Sequence, residues 1–107
     1  MNTYIFTYHG HPNFDSKEEG SEYMSKYRTW YSSIEGVVVE KEYPCKVTKT
    51  VSHSEILGVK PDHTISGIAL VQATSIDQAM EFAKLCPHIQ YGEIDVSGVM
   101  NMEIQTR

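Results

Sequence analysis

The stretch that decides the fold is GIALVQATSIDQAMEFAKLCPHIQYGEIDV, residues 67–96. Its first eight residues predict a central strand, because apolar side chains fall on both faces of the run. SIDQ, residues 75–78, is a capping box and predicts the start of a helix. The pair Cys86-Pro87 ends that helix, since the residue before a proline is displaced from the helical region. Residues 91–103 are then expected to run extended, which completes a strand–helix–strand unit.

Helical spacing and strand alternation predict which side chains of this unit face the core. The predicted buried face of the helix consists of Ile76, Ala79, Met80 and Ala83. The final strand is expected to turn Ile94 and Val96 inward and Glu93 and Asp95 outward. His88, in the connection between helix and strand, is expected at the surface.

The N-terminal half also predicts a strand followed by a capped helix. TYIFTYH, residues 3–9, is rich in aromatic and β-branched residues, as strands are. SKEE, residues 16–19, is a second capping box, so a helix is expected from Lys17. Apolar residues then recur at i, i+4, i+7 and i+11 and predict one buried helical face. They are Tyr23, Tyr27, Trp30 and Ile34. Gly36 is a natural stop after this helix.

The middle of the chain predicts two extended pieces, residues 37–40 and 45–53, which flank Pro44. Residues 54–66 are interpreted as a loop with room for a short strand. The resulting order, β-α-β-β-α-β, is typical of the ferredoxin-like α+β fold, in which two helices cover one face of a four-stranded antiparallel sheet. We predict a single such domain over residues 1–107. Because the central strand is apolar on both faces, the second face needs a cover, and a homodimer supplies it most simply.

Composition excludes several classes of function. The chain has 107 residues and a net charge of −5, which argues against nucleic acid as a partner because phosphate binding needs a basic face. It has no apolar run long enough to span a bilayer. Its two cysteines, Cys45 and Cys86, suggest neither a disulfide framework nor a metal motif. We therefore expect a cytoplasmic protein without a membrane segment, and we see no cofactor fingerprint.

Histidines are the main candidates for chemistry. His9 follows the first strand towards a predicted pocket mouth and could move a proton near neutral pH. With His11 it could also ligate a metal, but a polar strand end is the preferred interpretation and no metal site is predicted. Asp62 and His63 could form a catalytic pair only in a turn, since neighbours on an extended chain point apart. Glu93 and Asp95 are interpreted as charges that keep an edge strand soluble.

Aromatic residues suggest a binding pocket. The chain has seven tyrosines, and tyrosine often lines pockets because its ring is apolar and its hydroxyl polar. Arg28, with Tyr27 and Tyr31 beside it, could bind an anionic group, although packing of the arginine stem on a ring is commoner. We take Tyr8, Tyr27, Arg28 and Tyr31 as the candidate ligand-binding residues.

A family pattern runs through most of the chain. It consists of Gly67, Asp77, Ala79, Ala83, Cys86, Pro87, Gly92 and the triplet Ile94-Asp95-Val96. With YIFTYHG at residues 4–10 and GVVV at residues 36–39, this pattern resembles the YCII-related family, especially its DGPF-motif branch. The resemblance implies a dimeric α/β barrel of ferredoxin-like protomers, with a pocket between helices and sheet or at the dimer interface.

The chain departs from that family in two places. The DGPF segment falls on residues 62–66, which read DHTIS, so only Asp62 matches. The histidine of the His-Asp pair proposed for some members lies in the first helix, and residues 17–34 contain no histidine. A catalytic histidine would have to be His9 or His63 instead.

Three functional hypotheses remain open. The first is a small enzyme that performs general acid–base chemistry on an organic substrate, with His9 as proton carrier assisted by Asp62 or His63. The second is a noncatalytic module that binds a small molecule in a tyrosine-lined pocket. The third is a structural or interaction protein that acts through its dimer.

Overall fold

The computed structural model describes residues 1–53, 56–58 and 64–100. The strands are β1 (Asn2–His9), β2 (Tyr43–Pro44), β3 (Thr50–Val51), β4 (Ile56–Gly58), β5 (Ile65–Ala73) and β6 (Glu93–Gly98). The helices are α1 (Lys17–Ile34) and α2 (Ile76–Lys84), and each is followed by a short 3-10 helix, Glu35–Val37 and Pro87–Gln90.

The main sheet has four antiparallel strands in the order β2-β5-β1-β6, and β3 pairs with β4 in a separate two-stranded sheet. The long strands β1 and β5 pair along their whole length, from Asn2 opposite Ala73 to His9 opposite Ile65. This topology confirms the predicted ferredoxin-like α+β fold. Residues 101–103 of the predicted last extended segment lie outside the described residues.

Both helices begin where the capping boxes predict. The side chain of Ser16 accepts a hydrogen bond from the backbone N–H of Glu19 at 3.1 Å, and Ser75 accepts one from Gln78 at 3.1 Å. Such caps satisfy backbone donors that have no partner within the first helical turn. Because these signals are local in sequence, they fix the helix starts independently of the tertiary fold.

Helix α1 packs on the sheet through its predicted face. Tyr23, Trp30 and Ile34 are buried, and Tyr27 packs against the same core. The indole N–H of Trp30 donates to the carbonyl of Phe82 at 2.8 Å and so joins α1 to α2. A buried indole needs such a partner, since an unpaired polar group in the core is costly.

The predicted buried face of α2 is partly wrong. Ala79 and Ala83 are buried, but Ile76 and Met80 are 47% and 43% exposed. Phe82 packs against the core instead. Met80 lies about 100° around the helix from Ala79. It is therefore not on the face of α2 that contacts the sheet through Ala79 and Ala83.

The predicted strands around Pro44 also need correction. Pairing with β5 occurs at Tyr43 and Pro44 themselves, whereas residues 37–40 contribute only a bridge between Val38 and Val71. Glu40 has a left-handed backbone with φ of 64°, which interrupts the extended run. Pro44 is tolerated because β2 is an edge strand, where one face of the backbone needs no partner.

The two faces of the sheet differ. On β1, Tyr4, Phe6 and Tyr8 are buried beneath the helices, while the alternating residues Ile5 and His9 are only partly buried. We call the side of the sheet opposite the helices the open face. In the part of the chain that the structure describes, neither helix combines the length and apolar character that a membrane crossing requires.

Candidate ligand-binding site

A cavity of about 360 Å³ lies between α1, the end of β1, the edge strand β2 and the beginning of β5. Its wall is mainly aromatic and is formed by Tyr8, Phe14, Tyr23, Tyr27 and Tyr43. Besides the tyrosine hydroxyls, its polar side chains are those of His11, Glu42, Ser66 and His88. An apolar wall with a small number of converging polar groups is the usual form of a small-molecule site.

Glu42 is the polar centre of this cavity. The hydroxyl groups of Tyr8 and Tyr27 donate hydrogen bonds to the same carboxylate oxygen, Oε2, at 2.6 and 2.8 Å. Strand alternation points the side chain of Tyr8 towards α1, and helical spacing points the side chain of Tyr27 towards the sheet. Hydrogen bonds to a carboxylate are short and strong, so this contact fixes both rings.

Burial raises the pKa values of the cavity phenols further above neutral pH. The pKa of Tyr8 is raised far above its ordinary value, first by burial and then by the neighbouring Tyr27 and Glu42. The pKa of Tyr27 is also raised, first by burial and then by the charge of Glu42. Burial raises the pKa of Tyr23, in the same wall, to about 12. At neutral pH Tyr8 and Tyr27 are hydrogen-bond donors to Glu42, and none of the three phenols is a base.

The second oxygen of Glu42 has free acceptor capacity. Within residues 1–53 and 64–100, both tyrosine hydroxyls donate to Oε2 and no side chain donates to Oε1. A carboxylate has about four lone-pair sites, so a molecule in the cavity that carries a donor can bind there.

His88 is a further polar group of the cavity wall, and its predicted surface position is wrong. It is 3% exposed and lies in the 3-10 helix Pro87–Gln90. Its Nε2 is 2.8 Å from the backbone carbonyl oxygen of His9. Since a carbonyl only accepts, Nε2 carries the hydrogen, and in the neutral ring the acceptor nitrogen is Nδ1. The ring also meets Tyr8 edge to face, with centroids 5.7 Å apart.

Gly92 makes room for this hydrogen bond. A Cβ at residue 92 would collide with the carbonyl oxygen of His9 and would lie 2.8 Å from Nε2 of His88. The backbone N–H of Gly92 donates to the carbonyl of His88 at 2.9 Å. The sequence therefore needs glycine here because two segments cross without space for a side chain.

The side chain of His9 lies on the other side of the sheet. Its Nε2 is 2.9 Å from Oδ2 of Asp95, and its Nδ1 is buried without a hydrogen-bond partner among the described residues. It does not line the cavity, so the structure brings His9 together with Asp95 and separates both from Glu42. Asp95 faces away from the core, as the alternation of the last strand predicts.

Of the four predicted ligand-binding residues, Tyr8 and Tyr27 belong to the cavity lining and Arg28 and Tyr31 do not. Tyr31 packs against the core, and Arg28 lies in a shallow depression next to Phe14. Asp62 and His63 fall outside the described residues, so a catalytic role for them stays a prediction. Among the residues that the structure describes, no three of His, Cys, Asp and Glu are grouped as metal ligands.

Sequence reasoning missed Glu42 and underrated His88. Glu42 sits in the charged run Glu40-Lys41-Glu42, which has no spacing typical of a site. Glu42 enters the cavity wall only because β1, α1 and the segment before β2 come together, and no local sequence pattern encodes that contact. The one available signal was the position of Glu42 directly before Tyr43-Pro44, an edge-strand pair.

Comparison with known proteins finds similarity at the level of the fold. No protein-family model matches the chain, and no curated protein matches it. One similar solved structure is 5-chloro-2-hydroxyhydroquinone dehydrochlorinase from Burkholderia phenoliruptrix AC1100, in complex with 2,5-dihydroxybenzoquinone. The TM-score is 0.55 with 11% sequence identity, and the match covers 89% of this chain and 90% of the dehydrochlorinase. The similarity supports the ferredoxin-like fold of the chain.

The hydrogen bond from Tyr8 to Glu42 should contribute to stability. We expect Tyr8→Phe to lower the free energy of unfolding by about 1–3 kcal/mol, because a buried donor to a carboxylate is lost. Tyr43→Phe is a matched control, since Tyr43 also donates to a glutamate, Glu40, at 2.6 Å but is 39% exposed. Its loss should cost less than about 0.5 kcal/mol. Urea unfolding of both variants makes the measurement, and equal losses would contradict the assigned difference.

Stability should fall at alkaline pH. The tyrosines of an unfolded chain lose their protons near pH 10, whereas the raised pKa values of Tyr8, Tyr23 and Tyr27 keep the folded ones protonated. Above pH 10 the unfolded state then binds fewer protons than the folded state. The contribution of these tyrosines to the free energy of unfolding is therefore complete below pH 10 and decreases above it. Each tyrosine contributes a slope of up to about 1.4 kcal/mol per pH unit.

Urea unfolding from pH 8 to pH 11 checks this dependence. Tyr27→Phe should show a shallower decline than the unmodified protein, because one of the shifted groups is gone. If the two declines are the same, ionisation of this tyrosine is not responsible.

Proposed function

We propose that the protein binds a small organic molecule in the cavity beneath α1, with Glu42 as the polar group that the ligand contacts. The observation that carries the proposal is the carboxylate held by two phenols within an aromatic wall. Enclosing a charge among aromatic rings is costly unless the charge is hydrogen-bonded. A site in which this cost is met, next to an empty volume with a free acceptor oxygen, is typical of a binding site.

General acid–base catalysis in the same cavity is the second candidate. It is favoured by a carboxylate and an imidazole that line one small volume, since these are the groups that most often move protons in enzymes. Glu42 would accept the proton, because the phenols beside it are too weakly acidic to take part. Catalysis by His9 with Asp62 or His63 is the alternative from the sequence, and it would need a different site from this cavity.

We also propose membership of the YCII-related family and a homodimer that covers the open face. The family pattern in residues 67–96 and the ferredoxin-like fold support the first. Partly exposed apolar residues on the open face, among them Ile5 and Leu70, support the second. A cytoplasmic location fits the free thiols of both cysteines.

A matched pair of variants tests binding in the cavity. Met24 lines the cavity and Met80 lies on α2 outside it, and both are helical residues with 43% exposure. We expect Met24→Trp to fill the cavity and abolish binding of ring-sized fragments, while Met80→Trp binds them as the unmodified protein does. Single-ring compounds of the size of 2,5-dihydroxybenzoquinone, the ligand of the similar dehydrochlorinase, set the size class for the screen.

Ligand-observed NMR makes this measurement and also separates the two candidates. A fragment whose spectrum changes with time in the presence of protein, but not with Glu42→Gln, indicates catalysis. A fragment that binds and stays unchanged indicates binding alone. If no fragment binds, or if hits bind Met24→Trp equally well, the cavity is not the functional site.

The dimer has its own test. We expect the protein to sediment as a dimer at micromolar concentration and Leu70→Lys, on the open face, to shift it to a monomer, because burying a lysine between two sheets is costly. Leu85→Lys is the control, since Leu85 caps the end of α2, away from the open face, and is 74% exposed. A compact monomer of the unmodified protein would reject the homodimer.

A further inference from the structure

We infer that the cavity ligand carries a protonated amine on a compact apolar body. The inference rests on the proposed function and names the chemical class of the ligand. It follows from the groups of the cavity wall that are available to a ligand. These are hydrogen-bond acceptors and aromatic faces, with few free donors.

Most of the side-chain donors that line the cavity are already used, and among the described lining residues the ring of His11 and the hydroxyl of Tyr23 are the exceptions. The hydroxyls of Tyr8 and Tyr27 donate to Oε2 of Glu42. The hydroxyl of Ser66 donates to the carbonyl of Tyr8 at 3.3 Å. The Nε2–H of His88 donates to the carbonyl of His9. A ligand that needs donors, such as a carboxylate or a phosphate, finds few in the described wall.

The acceptors are free. Oε1 of Glu42 receives no side-chain hydrogen bond within the described residues, and the neutral ring of His88 keeps an acceptor nitrogen. No Lys or Arg belongs to the described lining, so Glu42 has no cationic partner there. The cavity is therefore electrically complementary to a cation that brings N–H donors.

The aromatic wall favours the same guest. Tyr8, Phe14, Tyr23, Tyr27 and Tyr43 surround the volume. The negative faces of aromatic rings attract an ammonium group, and they do so more strongly where water is excluded. Tyr43 already receives a cation in this way, since Nζ of Lys41 lies 5.6 Å from its ring centroid. A carboxylate beside aromatic faces satisfies both the charge and the hydrocarbon part of an amine.

The cavity volume limits the body of the ligand. About 360 Å³ is at the lower end of the range for small-molecule sites. A single ring with a short amine-bearing arm suits it, and an extended polyamine or a nucleotide does not.

Isothermal titration with benzylamine, benzyl alcohol and benzoate at pH 8 tests the inference, because the three probes share one ring and differ in the head group. Benzylamine should bind at least about tenfold more tightly than benzyl alcohol, and benzoate should bind most weakly. Glu42→Gln should reduce the preference for the amine to less than about threefold. Glu18→Gln, which removes an exposed carboxylate at the start of α1, should leave it unchanged.

Equal or tighter binding of benzoate or benzyl alcohol overturns the inference but leaves a working cavity and so the proposed function. Binding of none of the probes overturns the inference, while the wider fragment screen decides the proposed function separately. An amine preference that survives Glu42→Gln also overturns it. The comparison of head groups uses the unmodified protein, so it decides the inference even if Glu42→Gln does not fold.

Discussion

The structure around the cavity depends on the carboxylate of Glu42. Its two hydrogen bonds join the end of β1, through Tyr8, to the middle of α1, through Tyr27, and tie both to the segment that enters β2. These parts are distant in sequence, and hydrophobic packing alone has no direction that would fix their register. A charged acceptor between two phenols supplies that direction. It also orders the short edge strand β2, which pairs with β5 at only two residues.

The pairing of tyrosine with glutamate recurs in this chain. Tyr43 donates to Glu40 and Tyr91 to Glu19, in addition to the pair on Glu42. The chain has 14 acidic and nine basic residues, so carboxylates outnumber the cations that could partner them. Phenol donors satisfy the excess without adding positive charge. This accounts for part of the high tyrosine content, which composition alone could only associate with pockets in general.

Much of the fold follows from local sequence signals, while the site does not. The helix starts at Ser16 and Ser75 are right because a cap is a contact between residues three apart. The strand order follows from the sequence of elements. The position of β2 at Tyr43–Pro44 depends on which backbone of β5 lies beside it, and a period-two pattern does not contain that information. The sequence predicts a surface position for His88 because its hydrogen-bond acceptor, the carbonyl of His9, is distant in sequence.

His9 has two attachments of different chemical kind. Its side chain meets Asp95 on the open face, while its backbone carbonyl receives His88 from the helix side. Every amino acid has that carbonyl, so substitution at position 9 removes the first contact and keeps the atom that orients the cavity imidazole. The contact on the open face and the contact on the helix side are therefore independent of each other at this residue. The side chain at position 9 can be exchanged on the open face without removing the acceptor that orients the imidazole of His88 beneath α1.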